Sequence, residues 1–205
     1  MTYKPHDTYF EKAKQEGYRS RAAYKLLDLQ RRYRLMKSGD RIVDLGAAPG
    51  GWLQVAVKAI GPSGKVVGVD LQPIQPLPRT NVSVLTGDIA ADEIHQRIRE
   101  RIGGRADCVL SDLAPKLSGV RDADMARSLE LNRTALAVAT KLLRPGGSLL
   151  LKSFVSTDLQ IFTAELKQLF ATVQRTKPEA TRRGSSEFYF YADGFCRRVV
   201  APLEL

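Results

Sequence analysis

Acidic residues recur at one kind of place along this chain. Asp44, Asp70, Asp88 and Asp112 each stand at or just beyond the end of a short apolar run, and Lys152 ends a fifth. One such aspartate caps a helix as readily as it binds a ligand. Four in register, with the glycine-rich turn Gly46 to Gly51 after the first, describe the rim of a ligand site. The turn Asp44-Leu45-Gly46-Ala47-Ala48-Pro49-Gly50-Gly51-Trp52 is not the GxGxxG dinucleotide pattern, and it lacks the Gly-Lys-Ser/Thr of a phosphate-gripping loop. No cation waits there for a pyrophosphate, so the expected ligand carries none. Asp70, at the end of the second run, is placed to accept hydrogen bonds from two ribose hydroxyls, and Asp88 to accept one from an adenine amino group. Ribose and adenine without phosphate, with positive charge beside carboxylates, describe S-adenosylmethionine. Trp52, the single tryptophan, is either core or a wall of that pocket.

The elements that must carry these residues can be read from the pattern. Strands are predicted at 41–45, 65–70, 82–85, 106–112 and 147–152, alternating with helices at about 52–60, 91–102, 124–143 and 158–170. Pro145-Gly146-Gly147 stands where a helix stop is expected. Two last runs, near 172–177 and 187–192, flank a loop with Pro178 and Gly184 and read as a hairpin. Strand–helix alternation with β-branched strands gives a parallel sheet covered on both faces. The predicted fold is α/β: a Rossmann-like, doubly wound, mostly parallel seven-stranded sheet with an antiparallel C-terminal hairpin. In such sheets ligands bind beyond the carboxyl ends of the strands, where the aspartates lie. Residues 1–38 form a basic helical extension in which Ala22, Ala23, Leu26, Leu29 and Tyr33 share one face, with Lys25 at its edge. Residues 39–205 form the catalytic core, and 1–205 are read as a single domain.

Composition narrows the function. With 43% hydrophobic and 26% charged residues the chain is globular, and no apolar run approaches the roughly 18–20 residues of a membrane span. The expected location is the cytoplasm. Cys108 and Cys196 make no disulfide framework, and with only His6 and His95 no metal site is expected. The net charge of +10 is unevenly placed: residues 1–41 hold eleven Lys/Arg against five Asp/Glu, and residues 175–198 six against three. A polyanion bound across both ends, nucleic acid above all, accounts for this better than solubility alone. Arg19, Arg21, Arg31, Arg32 and Arg34, with Arg182 and Arg183, are expected to form one RNA-binding surface.

Asp44–Trp52, Ser111-Asp112-Leu113-Ala114-Pro115, Gly146-Gly147 before a strand ending in Lys152, and Ser186-Glu187-Phe188-Tyr189 together resemble the FtsJ/RrmJ family. These are the ribosomal RNA large subunit methyltransferases E, which methylate a 2′-ribose oxygen of 23S rRNA. Arg19-Ser20-Arg21-Ala22-Ala23-Tyr24-Lys25-Leu26 matches the family's N-terminal signature, so the resemblance spans nearly the whole chain in order. It implies a class I S-adenosylmethionine-dependent fold, cofactor contacts at Gly50, Trp52, Asp70, Asp88 and Asp112, and a catalytic tetrad of Lys25, Asp112, Lys152 and Glu187. It also implies a target: a uridine in the A-loop of 23S rRNA, modified on the large ribosomal subunit. The fold suggests no obligate oligomer, so a monomer is expected, with no DNA and no membrane as partner. The chain departs from the family at Pro115-Lys116, where bacterial members commonly have Pro-Asn, and at Ser153–Thr157, which lacks their glycine-containing loop.

A ribose 2′-hydroxyl needs a base close by and an acceptor held in line with the bond to be broken. A lysine serves only when its pKa is drawn down from about 10.4, by partial burial or a second cation. Lys152 is the expected base and Lys25 the second cation, with Asp112 and Glu187 orienting the amines. Carbon methylation of a pyrimidine would need an attacking thiolate, and Cys108 lies inside an apolar strand while Cys196 has no nucleophile motif. Amino-group methylation typically uses an Asn/Asp-Pro-Pro-aromatic turn that Asp112–Pro115 does not match. Methylation of another RNA or of a small molecule, and a catalytically silent RNA-binding relative, stand as the other readings.

Overall fold

Thirteen elements alternate along the described residues, 8–115, 118–156, 158–182 and 184–196, of a computed structural model. The N-terminal extension supplies α1 (Thr8–Gln15) and α2 (Ala23–Tyr33). Then come β1 (Arg41–Leu45), α3 (Gly51–Ile60), β2 (Lys65–Asp70), β3 (Val82–Thr86), α4 (Asp92–Ile102) and β4 (Ala106–Ser111). The chain continues through α5 (Arg121–Leu142), β5 (Leu143–Phe154), α6 (Leu159–Leu169), β6 (Phe170–Thr176) and β7 (Glu187–Phe195). The strands form one seven-stranded sheet in the order β3-β2-β1-β4-β5-β7-β6. β1 to β5 pair in parallel, and β7 runs antiparallel between β5 and β6.

The residues of β1, β2 and β4 are largely buried on both faces, as a doubly covered sheet requires, and mostly apolar save Asp44 and Ser111. On one face α4, α5 and α6 pack Ile94, Ile98, Ala135, Ala139, Phe162 and Leu166 against Val43, Val109 and Leu149. On the other, Ala23, Leu26 and Leu29 of α2 join Leu53, Ala56 and Ile60 of α3 over Ile42, Leu110 and Leu150. The face read from the extension's sequence is thus a core face, at which the extension completes the second helical layer.

Several boundaries move: β5 runs on past Lys152 to Phe154, β6 begins at Phe170 and β7 runs on to Phe195. The helix expected from about Asp124 begins at Arg121, and the strand expected from Gly147 begins at Leu143. Pro145-Gly146-Gly147 therefore lies inside β5, and the ladder to β4 shifts register between Ala106 and Cys108 to take it in. A Cβ at Gly147 would stand 3.0 Å from the Asp107 carbonyl, which explains how the strand passes so close there.

Candidate active site

The tetrad is assembled by pleat and register. Successive side chains of a strand point to opposite faces, and Leu150 faces α2 and α3, so Lys152 faces the extension as well. β7 sets Tyr189 directly opposite Lys152, and Glu187 opposite Phe154, one pleat repeat further on. Asp112 follows the last residue of β4. Lys25 comes down from α2 onto this group.

The four side chains form two ion pairs. Lys152 Nζ donates to the Asp112 carbonyl at 2.6 Å and lies 3.1 Å from Asp112 Oδ1. Lys25 Nζ donates to Glu187 Oε1 at 2.6 Å. Lys152 is buried, and the other three are nearly so. Each lysine has one carboxylate, where the sequence reading set Lys25 beside Lys152 as a second cation. Tyr189 joins the pairs and is absent from the sequence-based site. Its hydroxyl donates to Asp112 Oδ1 at 2.8 Å, its ring lies 5.9 Å from Lys25 Nζ, and Trp52 packs on it with ring centroids 5.9 Å apart. Burial, then the charges of Asp112 and Glu187, raise this phenol well above its ordinary value, so it stays a hydrogen-bond donor. Its place two residues after Glu187 on the same strand is the signal that could have found it.

The acids expected to hold the cofactor stand at or just past the carboxyl ends of their strands. Asp70 accepts from the Ala48 amide at 3.0 Å and the Gln72 amide at 2.9 Å, closing the turn after β1 from inside. Each of its oxygens keeps a lone pair for a ligand hydroxyl. Asp88 is exposed and accepts from the Ala90 amide at 2.9 Å. Gly50, with φ +107°, is the residue before α3. Trp52 is buried: its indole donates to the Ala22 carbonyl at 2.8 Å. The ring is therefore core, and what Trp52 offers a ligand is its amide in the unpaired first turn of α3.

Asp44 is fully buried, and neither of its carboxylate oxygens has a partner among the described residues. Burial first, then Asp112 and Asp70, push it well above the usual carboxylate range. A buried acid without a donor beside two further carboxylates is unfavourable by itself and is relieved by a cationic, hydrogen-bond-donating ligand without phosphates. The residues present fit S-adenosylmethionine on that ground.

Beside the tetrad, Arg21, Ala22, Lys25, Arg182, Ser185 and Glu187 line an open cleft of about 230 Å³. A cavity of about 610 Å³ between α4, α5 and α6 lies on the other side of the sheet, and its Arg99 and Arg105 are hydrogen-bonded to the Lys141 and Leu143 carbonyls at the end of α5. The expected RNA surface is altered. Arg31 and Arg32 bind Asp28, Arg21 reaches the Ala180 carbonyl, and Arg19 reaches the carbonyls of Pro49, Gln75 and Pro76. These arginines, expected from the sequence on the RNA surface, also tie segments of the protein together. Arg31, Arg32, Arg34 and Arg182 are exposed; Arg183, like Lys116 and Thr157 in the two segments that depart from the family, lies outside the described residues. Burial pushes the Cys108 thiol up to about 12, which leaves it without thiolate character. Among the described residues there is no cluster suited to a metal ion and no helix long and apolar enough to cross a membrane.

A family model described as FtsJ-like methyltransferase matches residues 18–195. The ribosomal RNA large subunit methyltransferase E of Methanothermobacter thermautotrophicus is 46% identical over 92% of this chain and 90% of its own length. The protein of that name from Myxococcus xanthus is 44% identical over 91% and 88%. A Plasmodium falciparum structure described as a ribosomal RNA methyltransferase superposes with a TM-score of 0.79 at 29% identity, covering 88% of this chain and all of that one.

Proposed function

The chain belongs to the FtsJ-like methyltransferase family, and from that premise we propose that it is an S-adenosylmethionine-dependent ribosomal RNA methyltransferase acting on a ribose 2′-oxygen. Its proposed target is a uridine of the 23S A-loop on the large subunit. The observation that carries the reading is the convergence of the Lys152–Asp112 and Lys25–Glu187 pairs, through Tyr189, beside the unpartnered Asp44. The names of the relatives support rRNA as the substrate.

When bound, S-adenosylmethionine supplies a methyl group activated by a sulfonium sulfur. Asp70 and Asp88 would hold its ribose and adenine, with Asp44, Asp112 and the amides around Gly50 and Trp52 at its cationic end. Lys152 is the group placed to take the proton of the acceptor 2′-hydroxyl, and Asp112 lies beside it to balance the ammonium. Asp112 fixes Nζ through two contacts, its carbonyl and Oδ1, and Tyr189 fixes the carboxylate in turn. Lys25, held by Glu187, faces the cleft beside Arg182 and steadies the acceptor nucleotide.

The test is methyl transfer from labelled S-adenosylmethionine to large subunits that lack the modification, with the labelled nucleotide mapped. One 2′-O-methyluridine in the A-loop is expected. Label on a base, or none, overturns the reading. Lys152→Ala should lower turnover by more than tenfold, a loss above about 1.4 kcal/mol, with cofactor affinity nearly unchanged. Asp70→Ala should weaken cofactor binding first.

A further inference from the structure

The segment Gly17–Ser20 lies directly on the turn that follows β1. Gln54 of α3 accepts from the Arg19 amide and donates to the Gly17 carbonyl, each at 2.8 Å. Two glycines make this approach possible. A Cβ on Gly51 would stand 2.4 Å from Ser20 Oγ, and one on Gly50 would stand 2.7 Å from Arg19 Nη1. From this position the Arg19 guanidinium spans two separate pieces of chain. Nη1 donates to the Pro49 carbonyl at 3.2 Å and to that of Gln75, and Nη2 donates to the Pro76 carbonyl at 3.0 Å. Pro49 belongs to the turn after β1. Gln75 and Pro76 belong to the stretch behind Asp70, anchored by buried Ile74. On the inner side, Asp70 joins the same two pieces through the Ala48 amide.

We infer that Arg19 is a positioning residue for the cofactor cleft, fixing the turn after β1 against the stretch after β2 and tying both to the segment that carries Lys25. The inference rests on the proposal that this cleft takes S-adenosylmethionine. A guanidinium suits the task because its planar fork presents five donors and stays charged throughout the working pH range. Lysine keeps the charge but offers one compact point of contact, which cannot span three carbonyls on two segments. A phosphate contact would behave differently, since it depends on charge and adds to the salt dependence of RNA binding.

The experiment uses the full chain. Calorimetry measures S-adenosylmethionine affinity for wild type, Arg19→Lys and Arg19→Ala, with thermal midpoints taken without ligand, and RNA binding is followed across a salt series. Both variants should bind the cofactor at least tenfold more weakly, and Arg19→Lys should keep the wild-type salt slope. A smaller loss of cofactor affinity in a folded variant overturns the inference, because a merely structural tie would move the midpoint alone. So does an Arg19→Ala slope flatter by about 0.7–0.9 with cofactor affinity kept, the mark of a phosphate contact. Should Arg19→Ala fail to fold, Arg19→Lys carries the test. A wild-type protein that binds no S-adenosylmethionine would instead overturn the cofactor reading itself.

Discussion

Asp44 and Tyr189 are both polar groups placed where water is excluded, and each has a measurable signature. The native state holds a proton on Asp44 more tightly than the unfolded chain does, because its carboxyl lies above the ordinary value of 3.8. Stability from that proton is complete below the unfolded value and is lost as pH rises above it. Asp44→Asn should therefore raise the ligand-free melting temperature at pH 7, with the gain vanishing near pH 4. Parallel pH profiles for the two proteins would show that Asp44 is not the buried acid described above. The same variant should gain less from saturating S-adenosylmethionine, since ligand stabilisation follows affinity. Tyr189→Phe removes the donor that holds Asp112. Turnover should fall roughly tenfold, about 1.4 kcal/mol, with cofactor affinity within a factor of two and stability lower by about 1 kcal/mol. Unchanged turnover would separate Tyr189 from the chemistry.

At the scale of elements, the proposed chemistry depends on α2 staying docked against the connection between β6 and β7. Asp28, one turn beyond Lys25, is the clamp. It accepts from Arg31 and from Arg32 Nε, both at 3.0 Å, and from the Glu179 amide at 3.1 Å. Arg32 in turn donates to Thr176 Oγ1 and to the Lys177 carbonyl. Burial alone would raise this carboxyl, but the bonds from Arg32, the Glu179 amide and Arg31 outweigh it and hold it below the ordinary range. Asp28→Asn should cost about 2 kcal/mol in urea unfolding at pH 7. A group with a lowered pKa contributes above its unfolded value and loses that contribution as pH falls through the folded one. The gap between wild type and Asp28→Asn should therefore close below about pH 4, and a constant gap would mean that the charge is not what holds the connection.

For the whole molecule, net charge matters less than where the charges stand relative to the cleft. Of the chain's excess of +10, Arg19, Arg21, Arg31 and Arg32 at its N-terminal end already donate to carbonyl or carboxylate oxygens of the protein. Arg182 is exposed and lines the cleft beside Lys25 and Glu187. On the proposed reading, Arg182→Ala should flatten the log–log salt dependence of RNA binding by about 0.7–0.9. Arg133, held by Glu165 on the opposite face of the sheet, should leave it unchanged when replaced by alanine. Equal slopes for wild type and Arg182→Ala would take that residue off the RNA path.

The layered fold was legible because it rests on local signals. β-Branched runs, glycine turns and helical periodicity each report on a few neighbouring residues, and their alternation leaves few topologies open. The placement of the acids was legible for the same reason, since Asp70 ends β2, Asp88 lies just past β3 and Asp112 follows β4, whereas the burial of Asp44 within β1 was not. Three features needed the tertiary structure. The insertion of β7 between β5 and β6 brings Tyr189 opposite Lys152, and a hairpin read from sequence does not say which of its strands meets the sheet. The pairing of Lys25 with Glu187 and Lys152 with Asp112 depends on how α2 docks, which depends on contacts far apart in the chain. The work of the arginines was hidden most completely. In sequence a cation next to cations reads as a surface for a polyanion, and only the fold shows that Asp28 and the carbonyls of Pro49, Gln75, Pro76 and Ala180 lie within reach.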